Sequence, residues 1–326
     1  MKCTNRKKSK ICVFLLALSC MLTGCGAAGY DMSYDSNYPV SSFQLVQTDD
    51  FQTATPFAAD LCVVDADVSN PDVLLTDVSS AALFDMDGLN TLYAVNANAQ
   101  VNPASLTKIM TALVALKHGS PDQMLKATDK VKITESGAQL YGIKPGDTMT
   151  LDQALHIMLI YSANDVAIMV AEGVGGTVET FVEWMNEEAE ALGATNCHFV
   201  NPHGLTEEGH YVTAYDLYLI FREALQYEMF NEIIQMTAYN TNYTGNDGNQ
   251  YAVEIKTTNQ YLNGNYAMPD GITVIGGKTG TTRAAGHCLI LLARNSSGKP
   301  YISVIMNSDS TENLYLKMTD LLKAAK

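Results

Sequence analysis

Apolar residues in this 326-residue chain follow two patterns: short continuous runs in some segments and recurrence every three or four positions in others. Short apolar runs bounded by turn residues predict strands, two of which form a hairpin around Asp87-Gly88. The predicted strands are residues 81–85, 91–95, a segment that enters Lys278 through Val274-Ile275, 288–293 and 301–306. We expect them to pair in one antiparallel sheet.

Between these groups of strands, apolar residues recur every three or four positions, which predicts helices. The predicted helices are residues 105–117, 151–161, 165–172, 177–192 and 214–226, with a last one at 313–325. This order predicts an α/β fold, an antiparallel sheet flanked by helices with an inserted helical subdomain. The predicted domain, residues 61–326, is long enough for one large core, and its cleft should lie where the sheet meets the subdomain.

The N-terminus has the pattern of a secretory leader. Five basic residues precede an apolar run over residues 11–22, shorter than the roughly 20 residues that a membrane-spanning helix needs. The run ends Leu22-Thr23-Gly24-Cys25, which resembles the bacterial lipobox. That resemblance implies a lipoprotein signal over residues 1–24 and a diacylated Cys25 that holds the exported protein at the outer face of the cytoplasmic membrane. Ordinary cleavage at small residues and a membrane-spanning segment are the alternatives.

Residues 25–60 show neither apolar pattern and are predicted to form a linker, with an ordered strand as the alternative.

The chain has 20 basic and 35 acidic residues; without the five basic residues of the leader, 15 basic ones remain and the net charge is −20. Such a charge disfavours nucleic acid and anionic membrane surfaces as partners.

Cysteine and histidine spacings indicate neither a disulfide framework nor a metal site. Once Cys25 is acylated, at most one disulfide remains possible, and Cys288 lies in an apolar run that predicts a buried free thiol. No pair of the six histidines has a metal-ligand spacing, so we predict no metal and no cofactor. We expect His203 and His210 to order a loop near the cleft.

Ser105 and Lys108 have the spacing of a nucleophile and its base. Residues three apart share one face of a helix, so the amine should lie near the hydroxyl. A lysine removes a proton from serine only when it is neutral, so the site must lower its pKa from about 10.4 through burial or a second cation such as Lys278. The alternative is an N-cap serine followed by a solvated lysine.

Two further clusters can complete an acyl-transfer site. Ser162 and Asn164 lie at the junction of two predicted helices, where the hydroxyl can relay a proton and the amide can donate and accept hydrogen bonds. Lys278-Thr279-Gly280 lies on a predicted strand and offers donors to a carboxylate, while its glycines let a peptide lie alongside. A helix cap and a glycine-rich hairpin are the respective alternatives.

The three clusters have the order S-x-x-K, S-x-N and K-T-G, and characteristic segments accompany them. These segments are Pro103-Ala104, Asn201-Pro202-His203-Gly204-Leu205, His210-Tyr211-Val212-Thr213-Ala214 and Ala285-Gly286. From about residue 77 onward the chain thereby resembles the serine-type D-Ala-D-Ala carboxypeptidases, the low-molecular-mass penicillin-binding proteins of peptidase family S11.

The resemblance implies catalytic roles. Ser105 would attack the carbonyl between the two terminal D-alanines of a peptidoglycan stem peptide, and Lys108 would accept its proton. Ser162 would pass a proton to the departing D-alanine, and Asn164 would hold the substrate amide and Lys108. A β-lactam would mimic the dipeptide and acylate the serine.

The resemblance also implies how substrate is bound. Lys278, Thr279 and Gly280 would receive the terminal carboxylate, and the N–H groups of Ser105 and Thr281 would meet the oxyanion. Some relatives carry an arginine after the last strand for the carboxylate, whereas residues 307–312 here are polar and acidic. Either Arg283 or Lys278 alone takes that task, or the substrate preference differs.

Three classes of function remain open: a DD-carboxypeptidase or DD-endopeptidase, a serine β-lactamase, and a non-catalytic lipoprotein that binds wall peptides. Class A β-lactamases generally carry S-D-N and a glutamate that activates the deacylating water, and no E-x-x-L-N segment lies between Asn164 and Lys278. A non-catalytic protein would have no chemical need for the catalytic side chains. We therefore favour the carboxypeptidase.

Overall fold

Nine strands in two antiparallel sheets occur in the described part of the chain. The computed structural model describes residues 58–73, 75 and 79–325. The strands are β1 (Ser80–Asp85), β2 (Asn90–Val95), β3 (Met124–Lys126), β4 (Thr148–Thr150), β5 (Ala238–Thr244), β6 (Gln250–Lys256), β7 (Ile272–Thr282), β8 (Gly286–Asn295) and β9 (Pro300–Ser308). The larger sheet has the order β2-β1-β9-β8-β7, so the strand that carries Lys278 forms one of its edges. The five predicted strands and their pairing in one sheet are confirmed.

Helices occupy the positions that the periodicity predicted. They are α1 (Thr107–His118), α2 (Leu151–His156), α3 (Asn164–Gly175), α4 (Val178–Ala191), α5 (Ala214–Ala224), α6 (Glu228–Gln235) and α7 (Thr311–Leu322). Among the α-helices of the described residues, only α6, a short one, was not predicted. The predicted α/β class is confirmed.

The inserted part was predicted to be helical, and that prediction was incomplete. It also contains the smaller sheet, of order β3-β4-β5-β6. Two of these strands have three residues each, and β5 reads Ala-Tyr-Asn-Thr-Asn-Tyr-Thr, with no fully buried position. Strands of three residues are too short to show the alternation by which strands are recognised from sequence, whereas β6 does alternate, with Val253 and Ile255 buried, and its signal was missed.

Both faces of the larger sheet are covered, which explains why β1 is buried along its whole length. Successive side chains of a strand point to opposite faces. Ala82 and Phe84 therefore belong to the core shared with α1 and the other inserted helices, and Ala81 and Leu83 belong to a second core shared with α7. On the inner face α5 packs against β1 and β9, and α1, which follows the segment that carries Ser105, packs in turn on α5.

Several predictions concern residues 1–57, which lie outside the described residues. They include the leader, lipidation at Cys25 and most of the linker. Cys288 is fully buried with a free thiol, as predicted, and burial raises its pKa to about 12. No helix within residues 58–73, 75 and 79–325 is both long and apolar enough to cross a membrane.

Candidate active site

Ser105 lies in a single 3₁₀ turn, Ala104–Leu106, that leads directly into α1. The N-cap of α1 is Leu106, which makes no side-chain capping bond, so Ser105 is not a helix cap. Lys108 lies in the first turn of α1, and its Nζ is 2.9 Å from Ser105 Oγ. The predicted pairing of a hydroxyl with an amine one turn away is confirmed.

The amine of Lys108 is enclosed by protein. Its side chain is 0% exposed, and Nζ lies 2.6 Å from Asn164 Oδ1 and 2.7 Å from the carbonyl oxygen of His203. Burial lowers the pKa of Lys108 well below its usual value, the charge of Lys278 lowers it further, and Asp165 opposes these effects in part. The site thereby favours the neutral lysine that a general base must be.

These contacts also orient the lone pair of Lys108. The oxygens of Asn164 and His203 can only accept, so each takes one N–H of the neutral amine. A neutral amine has two N–H groups, and its lone pair then faces the remaining neighbour, the Ser105 hydroxyl. That hydroxyl can donate to Nζ, which is the direction in which the proton must move to activate the nucleophile.

Ser162 ends a π-helical turn, Ile157–Tyr161, and adopts a left-handed backbone conformation with φ of 70°. That conformation costs about 1–2 kcal/mol for a residue with a Cβ, and such strain and π-turns concentrate at functional sites. The turn places Ser162 Oγ 2.9 Å from Lys278 Nζ and lets α3 begin at Asn164. Ser162 and Asn164 both line the cleft as a result.

Lys278 is buried behind the hydroxyls that face the cleft. Its side chain is 1% exposed, and Nζ donates to Ser162 Oγ and, over 2.8 Å, to the carbonyl oxygen of Thr279. Burial lowers the pKa of Lys278 to about 7. Thr279 lines the cleft, and its Oγ1 lies 2.6 Å from that of Thr258. The amine of Lys278 therefore lies directly behind Ser162 and Thr279, which line the cleft.

Gly280 allows β7 to pack directly on the 3₁₀ turn that carries Ser105. A Cβ at this position would lie 3.0 Å from the backbone nitrogen of Ser105 and 3.1 Å from Ala104 Cβ, closer than side chains normally approach. Thr281 follows, exposed and lining the cleft. The N–H groups of Ser105 and Thr281 thus belong to two segments in contact.

The cleft has a volume of about 1040 Å³, and its walls come from both parts of the fold. Residues 135–139, from the inserted part, form one wall, and residues 279–284, which include Arg283, form another. Arg283 is exposed, whereas Lys278, the other candidate for the substrate carboxylate, is buried. Arg283 and Lys278 can therefore attract the same carboxylate, Arg283 from the surface of the cleft and Lys278 from beneath its wall.

Sequence reasoning missed other residues of the cleft. Thr258 has no local pattern that marks it. His287 lies with Nδ1 3.1 Å from Thr311 Oγ1 and 3.3 Å from Thr281 Oγ1. Its position directly after Ala285-Gly286, a segment already singled out, was the one available signal.

His203 and His210 order the loop beside the cleft, as predicted. Leu205 donates its N–H to His203 Nδ1, and Val200 donates its N–H to His210 Nδ1, each over 3.1 Å. Burial lowers the pKa of His203 to about 3 and that of His210 to about 4, so both rings are neutral near pH 7. The resulting loop presents the His203 carbonyl to Lys108.

A model of the D-alanyl-D-alanine carboxypeptidase family, peptidase S11, matches residues 67–310. The chain belongs to this family of serine peptidases. The D-alanyl-D-alanine carboxypeptidase DacF of Bacillus subtilis is 33% identical over 256 residues, which cover 77% of this chain and 63% of that protein. DacA of Escherichia coli is 31% identical over 249 residues, 72% of this chain and 57% of that protein. The chain thus spans about three fifths of the length of these curated relatives.

Solved structures show the same fold. A DD-transpeptidase from Streptomyces superposes with a TM-score of 0.71 at 25% identity, over 78% of this chain and 98% of that one. A penicillin-binding protein homologue from Mycobacterium tuberculosis superposes with a TM-score of 0.67 at 28% identity, over 77% of this chain and 92% of that one. The α/β architecture and its inserted part are therefore those of the penicillin-binding DD-peptidases.

Proposed function

We propose that this chain is a serine DD-carboxypeptidase that removes the terminal D-alanine from peptidoglycan stem pentapeptides through an acyl-enzyme. The observation that carries the proposal is the buried amine of Lys108, which lies 2.9 Å from the Ser105 hydroxyl. Its two other hydrogen-bond partners are carbonyl oxygens, those of the Asn164 side chain and the His203 main chain. Membership of the S11 family and the names of the curated relatives support the same activity.

Acylation begins with proton transfer from Ser105 to Lys108. Oγ attacks the carbonyl carbon between the two terminal D-alanines, and the carbonyl oxygen becomes an oxyanion. The N–H groups of Ser105 and Thr281 stabilise that oxyanion; loss of one such donor typically costs about 10²- to 10³-fold in rate. Asn164 holds the amine of Lys108 and offers its N–H group to the substrate amide.

Departure of D-alanine needs a proton on its nitrogen. Ser162, whose hydroxyl faces the cleft and accepts a hydrogen bond from Lys278, donates that proton and regains one from Lys108, which thereby gives up the proton that it took from Ser105. The carboxylate of the leaving D-alanine is held by the hydroxyl of Thr279, the charge of Lys278 and, at the edge of the cleft, Arg283. Water then hydrolyses the ester on Ser105.

A β-lactam fits the same sequence of steps. Its amide carbon takes the place of the scissile carbonyl and its carboxylate that of the terminal D-alanine. We expect the ester on Ser105 to hydrolyse slowly, because the chain lacks the glutamate motif that activates water in class A β-lactamases. Penicillin is therefore both a probe and an inhibitor of the proposed enzyme.

The experiment combines penicillin labelling with D-alanine release by the full chain. We expect a stable adduct that maps by mass spectrometry to the peptide containing Ser105, release of D-alanine from a pentapeptide, and neither with Ser105→Ala. Rapid turnover of penicillin without an adduct would instead favour a β-lactamase. Peptide binding without D-alanine release would favour a non-catalytic protein, and release from cross-linked dimers alone would favour an endopeptidase.

We propose further that the protein is exported and held at the outer face of the cytoplasmic membrane by acylation of Cys25. The lipobox-like end of the leader supports this, and so does the activity proposed above, whose substrate lies outside that membrane. Metabolic labelling with a fatty acid should mark the wild-type chain but not Cys25→Ser, which should be released into the medium. Equal labelling of both chains would refute lipidation at Cys25.

A further inference from the structure

Ala104, directly before the nucleophile, has a backbone conformation that L-residues avoid. Its φ is +48°, in the left-handed region, and its side chain is 0% exposed. A non-glycine residue keeps such a conformation only where its surroundings impose it, and the strain then often serves the site. The contacts that impose it on Ala104 identify residues that act on Ser105 without touching substrate.

The carbonyl oxygen of Ala104 is held from the side of α1. Thr107 donates its hydroxyl to that oxygen over 2.8 Å, and Thr107 Oγ1 also lies 2.9 Å from His210 Nε2. A hydroxyl has one proton, and that proton is committed to Ala104. His210 must therefore donate to Thr107.

The tautomer of His210 agrees with that direction. Its Nδ1 accepts the N–H of Val200 over 3.1 Å, so the single proton of the neutral ring lies on Nε2. The ring is 3% exposed, and burial keeps its pKa low enough for the neutral form to persist at neutral pH. The chain of hydrogen bonds from Val200 through His210 and Thr107 to Ala104 thus has one consistent direction.

A second segment closes over the same carbonyl. Gly204 has φ of +88°, and a Cβ there would lie 1.8 Å from the oxygen of Ala104 and 2.7 Å from Thr107 Oγ1, so only glycine fits. Asn201 fixes this approach, because its Oδ1 accepts the N–H of Gly204 over 2.7 Å. The carbonyl of Ala104 is thereby enclosed between α1 and residues 201–204.

The orientation of this carbonyl sets the orientation of the Ser105 N–H. Both belong to one planar trans peptide unit, in which the C=O and the N–H point in opposite directions. Holding the oxygen towards Thr107 and Gly204 turns the N–H away from them. Gly280 of β7 packs against the backbone nitrogen of Ser105, on the side where the cleft opens.

We propose that Thr107 and His210 are positioning residues, which hold the peptide between Ala104 and Ser105 so that its N–H faces the oxyanion. This inference rests on the proposed function, because it assigns a task to the N–H that the acylation step uses. It gives the Asn201-to-Gly204 and His210 segments a chemical role beyond ordering a loop.

The test compares variants of Thr107 in acylation of the full chain by penicillin. Thr107→Val keeps the shape of the side chain but removes the hydroxyl, so we expect the acylation rate constant to fall by about tenfold to a hundredfold. The dissociation constant of the complex before acylation should change less than twofold, because Thr107 does not line the cleft. Thr107→Ser keeps the hydroxyl and should recover most of the rate.

A variant of His210 tests the same proposal independently, even if the Thr107 variants do not fold. Asparagine at this position keeps an acceptor for Val200 but cannot reach Thr107, so His210→Asn should lower the same rate constant. Because both residues act through one chain of bonds, Thr107→Val combined with His210→Asn should be no slower than the slower single variant. Thermal unfolding of each variant identifies loss of folded protein.

Two results would overturn the inference. One is acylation of Thr107→Val and His210→Asn at the wild-type rate. The other is a loss in Thr107→Ser equal to that in Thr107→Val, which would mean that packing rather than the hydroxyl matters. Neither result resembles failure of the proposed function, in which the wild-type chain itself would not be acylated.

Discussion

Lys108 and Lys278 are two buried amines at one cleft, and they differ in their surroundings. The amine of Lys108 lies against the Ser105 hydroxyl and two carbonyl oxygens, and that of Lys278 lies against the Ser162 hydroxyl and one carbonyl oxygen. Burial lowers the pKa of both. Only the pKa of Lys108 is lowered additionally by a neighbouring cation, which is Lys278 itself.

The comparison teaches how the proposed function assigns two different tasks to one residue type at the same pH. Lys108, with two causes of a lowered pKa, is the member of the pair that we expect to be neutral and to act as a base. Lys278, whose pKa is about 7, keeps its proton up to that pH and can attract a carboxylate. Pairs of groups whose environments separate their pKa values are a general way of assigning a base and an electrostatic partner.

The largest effect should follow from removing Lys108, the proposed base. Lys108→Ala should slow acylation by penicillin about a hundredfold or more, because the serine loses its proton acceptor. Lys108→Arg tests whether the residue must be neutral. A guanidinium stays protonated in proteins and cannot accept the serine proton, so this variant should be acylated as slowly as Lys108→Ala. The rate of fluorescent penicillin labelling measures both. Near wild-type labelling of either variant would move the base elsewhere.

A smaller effect should follow from removing the partner cation. Lys278→Met keeps the apolar stem and loses the charge, so we expect KM for a pentapeptide to rise about tenfold or more, as for a lost hydrogen bond to a charged group. The loss should also raise the pKa of Lys108, because a neighbouring positive charge no longer opposes its protonation. The acid limb of the acylation profile should therefore move to higher pH.

Lys256→Met is the matched control for this variant. Lys256 is an exposed residue of β6 that does not line the cleft. Its replacement should change neither KM nor the acid limb. An acid limb that stays in place in Lys278→Met would show that the two amines are not coupled.

The predictable part of this site lies within single turns of chain. The pairing of Ser105 with Lys108 follows from helix geometry once a helix is recognised, and the apolar periodicity of residues 105–117 was enough to recognise it. The strand that carries Lys278 was predicted from apolar residues and glycines in the same way. Local sequence patterns were therefore enough to predict the order of the helices and strands and the positions of the three clusters.

The part of the site that was not predicted depends on main-chain atoms, which every residue has, or on contacts between segments that are distant in sequence. His203 binds Lys108 through its main-chain carbonyl, which no side-chain pattern records. The left-handed conformation of Ser162 arises where a π-turn meets α3, although serine has no strong preference for it. Thr258 reaches Thr279 from 21 positions away, so its role requires the tertiary fold.

The wild-type chain should show the protonation of Lys278 in the pH dependence of KM. The pKa is lowered to about 7, so the amine is charged below that pH and neutral above it. KM for a pentapeptide should therefore rise several-fold as the pH increases from about 6 to about 8, less than in Lys278→Met because the neutral amine still donates hydrogen bonds.

A pentapeptide with a C-terminal amide is the control for this pH dependence. It lacks the carboxylate that the Lys278 charge would attract, so its KM should be higher and nearly independent of pH over the same range. If both peptides show the same pH dependence, the charge of Lys278 acts on something other than the substrate carboxylate.

The smallest expected effect concerns Thr258, whose hydroxyl is hydrogen-bonded to that of Thr279 and not to either lysine amine. Thr258→Val removes the hydroxyl that lies 2.6 Å from Thr279 Oγ1, so the Thr279 hydroxyl loses the partner that orients it for its proposed contact with the carboxylate. One neutral hydrogen bond contributes about 0.5–1.5 kcal/mol, which corresponds to a rise in KM of about two- to tenfold. We expect kcat to change little, because proton transfer between Ser105 and Lys108 does not involve this hydroxyl. Steady-state kinetics of Thr258→Val and Thr258→Ser distinguish this role from a role in the chemical step, which would lower kcat and leave KM unchanged.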